Sequence, residues 1–289
     1  MTEYSPRRTR RHRDELFIAL QRLLPQHSLS RLLGRVAESE KPWLKDFLIR
    51  QAMSSYGIDL TEAKLKNTID YPSFNAFFTR HLDDGVRPIA SGENLFVSPA
   101  DGVISQLGSV SGGSIFQAKG FSYSVQSLLG CDQDTAARFH QGSFATIYLS
   151  PKDYHRVHMP FDGELQSALY VPGKLFSVND ATAGQVDGLF ARNERLSCLF
   201  DTSQGLLAVV MVGALFVAGI ESIWQRRYVP RAPHRRFFDP KLFLAKGAEM
   251  GAFRFGSTVI VVSEKALRWE ANFQPGSRCR MGEALGSFT

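Results

Sequence analysis

Cysteine is scarce in this chain of 289 residues, and the three present are far apart. Cys131, Cys198 and Cys279 form neither a disulfide framework nor a metal-ligand pattern, which fits a reducing compartment and three thiols packed in a core. Long apolar runs are lacking too. The longest, Leu206–Ile220, falls short of the roughly 20 residues a spanning helix needs. Its valines, followed by Gly213 and Gly219, predict buried strands with a tight bend. No transmembrane helix is expected. The first apolar stretch is broken by charge and has no small-residue cleavage site, so no secretory signal is expected either. There is no Gly-rich phosphate loop, no clustered Cys and His ligand set, no internal repeat and no low-complexity linker. These absences argue against nucleotide- or metal-dependent chemistry.

Positive charge is in excess. The net charge is +6 and the pI about 9.3, which favours an anionic partner, either nucleic acid or a phospholipid surface. Five arginines crowd residues 7–13. Leu16, Phe17, Leu20, Leu23 and Leu24 follow at helical spacing, Pro25 interrupts, and Leu29, Leu32, Leu33 and Val36 continue the stripe. Arginines beside an amphipathic helix suit a segment lying in a membrane interface. A basic arm on nucleic acid, or a stripe that is simply core, would leave the same pattern.

The spacing predicts a helix over Trp43–Tyr56, with Leu44, Phe47, Leu48 and Met53 as its apolar face. Pro72 and Ser73 open a shorter one carrying Phe74, Phe77 and Phe78. Beyond about residue 95, alternating apolar residues predict strands, as in Gly102–Ile104, Ala145–Leu149, Gly163–Val171 and Val259–Val262. The expectation is an α+β chain: a basic, amphipathic helical region over residues 1–80 and a β-rich domain over 81–289.

Three short stretches carry chemistry. Arg254-Phe255-Gly256-Ser257-Thr258-Val259 sets a hydroxyl beside a carbonyl that lacks a neighbouring Cβ, so the Gly256 carbonyl is open to attack by Ser257. A serine nucleophile needs an imidazole to take its proton, and a carboxylate to orient that imidazole. His158, in Tyr154-His155-Arg156-Val157-His158-Met159-Pro160, and Asp101, in Ser98-Pro99-Ala100-Asp101-Gly102, supply both. An ordinary turn would also explain Pro-Ala-Asp-Gly. A serine hydrolase using Asp101, His158 and Ser257 without chain cleavage is the alternative, though Ser257 lacks the Gly-x-Ser-x-Gly setting. His155 would share a face with His158 if the segment were helical. Tyr154 and Arg156 suggest packing and surface positions.

Together these stretches resemble the phosphatidylserine decarboxylase family in its bacterial, membrane-associated form. The resemblance runs from about Pro72 onward and includes Val86-Arg87-Pro88-Ile89, Gln117-Ala118-Lys119-Gly120, Tyr123-Ser124-Val125, Tyr170-Val171-Pro172-Gly173, Leu175-Phe176-Ser177-Val178-Asn179 and Lys246-Gly247-Ala248-Glu249-Met250-Gly251. The family's cleavage motif is usually Leu-Gly-Ser-Thr; here Phe255 takes the first place and the reacting bond is unchanged. The resemblance implies a precursor that cleaves itself between Gly256 and Ser257 into a large N-terminal and a small C-terminal chain. Ser257 then becomes a covalent pyruvoyl group, which forms an imine with the amine of phosphatidylserine and accepts the electrons released with carbon dioxide. Phosphatidylethanolamine is the product, and no metal is required.

Within that resemblance His158 is the base of self-cleavage, Asp101 its orienting carboxylate, and His155 a residue for the substrate carboxylate or the decarboxylation proton. Phe176, Ser177 and Asn179 are candidates for substrate binding, although a loop with one buried Phe would look the same. Arg226, Arg227 and the Arg231–Arg236 segment suit phosphate or a solvated basic loop. The expected partners are phosphatidylserine, an anionic membrane surface, the protein's own two fragments and a second copy in a homodimer, with no nucleic acid. The expected location is peripheral, on the cytoplasmic face of the cell membrane.

Overall fold

The computed structural model describes residues 21, 26–214, 219–225, 228, 232–254 and 257–289. The arginine cluster at 7–13, the leucines of 16–24 and Arg226, Arg227 and Arg231 lie outside the described residues, as do Phe255 and Gly256.

Helices come first. In Gln26–Ala37 the inward positions are Gln26, Ser30 and Gly34, a polar and small-residue face, whereas Leu32 is exposed and Leu29, Leu33 and Val36 are half-buried. Pro42–Tyr56 starts with proline in its first turn and ends on Gly57 in the left-handed region, the expected punctuation for a helix. It buries Lys45, Ile49 and Ala52. Leu48 and Met53 pack partly against the helical cluster, but Phe47 is 55 % and Trp43 70 % exposed. The expected apolar face therefore splits into a packed part and an outward part. The Ser73 hydroxyl caps the short helix Phe74–Phe78 by accepting from Ala76 N–H. Among the described residues no helix is long and apolar enough to cross a membrane.

From Leu95 onward strands dominate. Eight form one antiparallel sheet in the order 234–244, 163–171, 195–202, 205–212, 257–263, 143–149, 102–109, 278–279. A second, small sheet runs 220–222, 249–253, 156–158. The strand Gly205–Val212 bears out the buried-strand expectation for the long apolar run.

The strand Ser257–Ser263 lies inside the large sheet, between Gly205–Val212 and Ser143–Leu149. Every residue in it is buried. Side chains alternate across a strand, and they do so here. Val259 and Val261 enter a core shared with Val157, Met159, Met250 and Phe253. Ile260 and Val262 enter the core on the opposite face, with Phe139, Phe176 and Phe190. Ser257 has the parity of Val259, so it points to the face that carries the small sheet.

Candidate active site

Ser257 opens the central strand, paired with Leu149. It is wholly buried, and its Oγ has no hydrogen-bond partner among the described residues. A buried hydroxyl without a partner costs about 1–3 kcal/mol. A residue whose hydroxyl is consumed in forming a new group fits that setting.

Both histidines are tied to the strand Glu249–Phe253, which precedes Ser257 in the chain. The chain here is extended, with His155 just before the strand Arg156–His158, so the two rings diverge and do not share a helical face. His155 is fully buried against Phe78, with ring centroids 4.1 Å apart. Its Nδ1 lies 2.8 Å from the Asp153 carbonyl. A carbonyl can only accept, so Nδ1 carries the proton and Nε2 keeps a lone pair. That Nε2 has no partner among the described residues. Burial, with the Arg80 charge nearby, pushes the His155 pKa down to about 3, which makes the ring a neutral base. The main-chain carbonyl of His155 accepts from Phe253 N–H at 2.9 Å, joining it to the segment that leads to Ser257.

His158 has the same tautomer for the same reason: its Nδ1 donates to the Gly247 carbonyl at 2.8 Å. The Tyr154 hydroxyl covers its Nε2 at 3.1 Å. Burial lowers the His158 pKa and raises that of Tyr154, so the phenol donates and the neutral imidazole accepts. Tyr154 is thus part of the site and not simple packing. Arg156 is likewise engaged, with Nη1 2.6 Å from Glu249 and Nε donating to the Thr79 carbonyl.

Asp101 does not touch the His158 ring. Its carboxylate takes Arg87 Nε and Nη2 at 2.6–3.1 Å and the Met281 N–H at 2.8 Å. A bidentate guanidinium is a stronger partner than a neutral imidazole, so the expected Asp101–His158 contact gives way: Gly247, not Asp101, sets the His158 tautomer. Asp101 stays close, because His158 N–H donates to the Pro99 carbonyl, and its charge favours the protonated ring. Next to Asp101, Gly102 lets its strand approach the neighbouring one closely, since a Cβ there would sit 2.4 Å from the Tyr148 carbonyl oxygen.

The 173–179 loop reaches the same end of the sheet. Asn193 Nδ2 donates to the carbonyls of Phe176 and Gly213, and Gly213 follows Val212, the partner of Thr258. Within the loop Phe176 is core, Ser177 pairs with Thr182, and Asn179 Oδ1 accepts from Thr182 N–H. The helical region holds the loop: Gln21 Oε1 accepts from Ser177 N–H, Gln26 Oε1 from Leu175 N–H, and His27 Nε2 donates to the Gly173 carbonyl at 2.8 Å. None of these contacts carried a signal in sequence, and Arg87 had one only within the stretch Val86-Arg87-Pro88-Ile89.

Comparison with known proteins gives two family matches. The model described as "Phosphatidylserine decarboxylase" matches residues 74–287, and one described as "PSD" matches residues 16–57. A phosphatidylserine decarboxylase proenzyme of Alcanivorax borkumensis is 50 % identical over 283 residues, covering 96 % of this chain and 97 % of that one. Proteins of the same description from Acinetobacter baumannii and Azotobacter vinelandii are 53 % and 49 % identical, covering 96 % and 95 % of this chain and 98 % of each relative.

Proposed function

The chain belongs to the phosphatidylserine decarboxylase family, and from that premise we propose that it is a proenzyme which cuts itself at Gly256–Ser257 and then converts phosphatidylserine to phosphatidylethanolamine and carbon dioxide. The observation that carries this reading is the buried hydroxyl of Ser257 at the head of the central strand, without a hydrogen-bond partner among the described residues. In the first step Ser257 Oγ attacks the Gly256 carbonyl, its proton passes to an imidazole, and the peptide bond becomes an ester. Removal of the Ser257 Cα proton then breaks the Cβ–O bond, leaving a Gly256 carboxylate and dehydroalanine. Water enters and ammonia leaves, so the C-terminal chain begins with a pyruvoyl group. That group supplies an electrophilic carbonyl for the substrate amine and a sink for the electron pair left by carbon dioxide.

We assign His158 as base of self-cleavage and His155 to turnover, with Asp101 acting on His158 through its charge. Breaking one hydrogen bond, from Tyr154, frees the His158 lone pair. A second allocation, His155 as base of cleavage too, is favoured by its Nε2 having no partner among the described residues. Mass analysis of His158→Ala and His155→Ala separates the two. Uncleaved His158→Ala beside cleaved but inactive His155→Ala supports the first; the reverse pattern overturns it. A hydrolase would regenerate its serine and leave the chain whole, against the relatives' description as proenzymes.

Residues 1–80 are the proposed membrane-association region and 81–289 the catalytic domain. Support for the first is the outward set Leu32, Trp43 and Phe47, beside exposed Arg31, Arg35 and Arg50. The helix Phe74–Phe78 serves both, since Phe78 packs on His155 and the family match begins at residue 74. Peripheral attachment to anionic lipid follows, at the cytoplasmic face. The loop residues Phe176, Ser177 and Asn179 would shape the substrate site from the sheet end that also holds Ser257.

A further inference from the structure

The arginine that follows helix Phe74–Phe78 has an unused donor. Arg80 is 5 % exposed. Its Nη2 donates to the Lys152 carbonyl at 3.1 Å and its Cζ lies 5.8 Å from the Phe77 ring centroid, but Nη1 has no hydrogen-bond partner among the described residues. No carboxylate lies within 4 Å of it among the described residues. Other buried arginines are satisfied. Arg87 holds Asp101 and Glu62, and Arg195 spends all three nitrogens on the carbonyls of Ser127, Leu128 and Asn193. Asp101 and Asp153 act on it only from beyond contact distance, and burying a guanidinium without a paired carboxylate is costly; the cost is explained if an anion completes the site.

Space for that anion is present. Arg80 lines a polar cavity of about 580 Å³ whose wall carries five basic and five acidic side chains, among them Lys152, Arg278, Arg280, Asp101 and Asp153, and includes Tyr154. Tyr154 bonds His158, and the Arg80 charge is felt at His155, so the cavity is linked to His158 through one side chain of its wall. We propose that Arg80 binds the phosphodiester of the phospholipid headgroup from the wall of this cavity. The assignment rests on the decarboxylase reading. The substrate has two anionic groups, but the carboxylate must give up its charge as carbon dioxide forms. A tight ion pair with that carboxylate would hold the ground state and oppose the reaction. The phosphodiester keeps its charge from substrate to product. A contact to it is uniform binding, which appears in KM and not in kcat.

The test uses full-length protein with Arg80→Gln and Arg80→Lys, assayed on phosphatidylserine in non-ionic detergent micelles, with phosphatidylethanolamine as competing product. Arg80→Gln should mature, raise KM about 10- to 100-fold, and weaken inhibition by phosphatidylethanolamine by a similar factor, since a charge-assisted hydrogen bond is lost. Arg80→Lys should restore part of both. If KM rises while product inhibition is unchanged, Arg80 holds the carboxylate and the proposal fails. A fall in kcat with a displaced pH profile, at constant KM, would make it a positioning residue for His155 and also overturn it. Failure of both variants to cleave would place Arg80 in maturation or folding, and the headgroup role would fall with it. Wild-type cleavage and turnover in the same assay report on the decarboxylase reading separately.

Discussion

Two imidazoles whose burial holds their pKa below the ordinary value mark the candidate site at the level of single residues. A base whose pKa burial holds below the ordinary imidazole value keeps its lone pair as the pH falls to that value, so self-cleavage of freshly made precursor should hold its rate between pH 7.5 and about 6.5. A tenfold fall near pH 6.5 would contradict the buried setting. Stability has the opposite sign. His155 takes protons less readily folded than unfolded, where its pKa is about 6.5, so stability is full above pH 6.5 and declines as pH falls toward 3. Glu194 runs the other way: burial raises its pKa to about 7, and stability falls as pH rises from about 4.5 to 7. Glu194→Gln should therefore raise the melting temperature at pH 8 and change it little at pH 4. Ser257, His155 and His158 could be picked out as candidates from sequence because each is a reactive group in a recognisable setting. Partners were not. Arg87 and Asp101 are fourteen residues apart, and nothing in either segment says that their side chains meet instead of Asp101 meeting His158.

Among the elements, the central strand was the easiest to read. Val259–Val262 is a β-branched run, and burial on both faces follows from placing it inside a sheet. Each of those four side chains contributes roughly 1.5–3 kcal/mol on full burial. They hold the strand whether or not the peptide bond before it survives. The N-terminal helices were read correctly as helices but not by face. Periodicity reports where apolar residues lie and not which side meets the protein, and Gln26, Ser30 and Gly34 turn inward in place of the leucines. That inversion predicts a binding role for the outward set. A Leu32→Ala, Trp43→Ala, Phe47→Ala triple variant should cleave normally, yet float with vesicles containing anionic phospholipid at least several-fold less than wild type. Unchanged flotation would remove the membrane role of these helices.

For the whole molecule, cleavage at the proposed Gly256–Ser257 bond would divide the chain without dividing the fold. Residues 257–263 remain paired on both sides with strands of the larger fragment, so the two pieces should co-elute in native size exclusion and separate only in denaturant. The fold class was visible in the sequence as a change from helical to alternating periodicity near residue 95. The hydrogen bonds of Gln21, Gln26 and His27 to the 173–177 loop were not, because two polar residues about 150 positions apart leave no local trace.

The most direct measurement is an intact mass spectrum, under denaturing conditions, of wild-type enzyme whose decarboxylase activity has been verified. The expected result is two polypeptides, residues 1–256 with an ordinary carboxyl end and residues 257–289 starting with a keto acyl group in place of an amine. One unbroken species carrying an intact serine at position 257, in a fully active sample, would contradict the account.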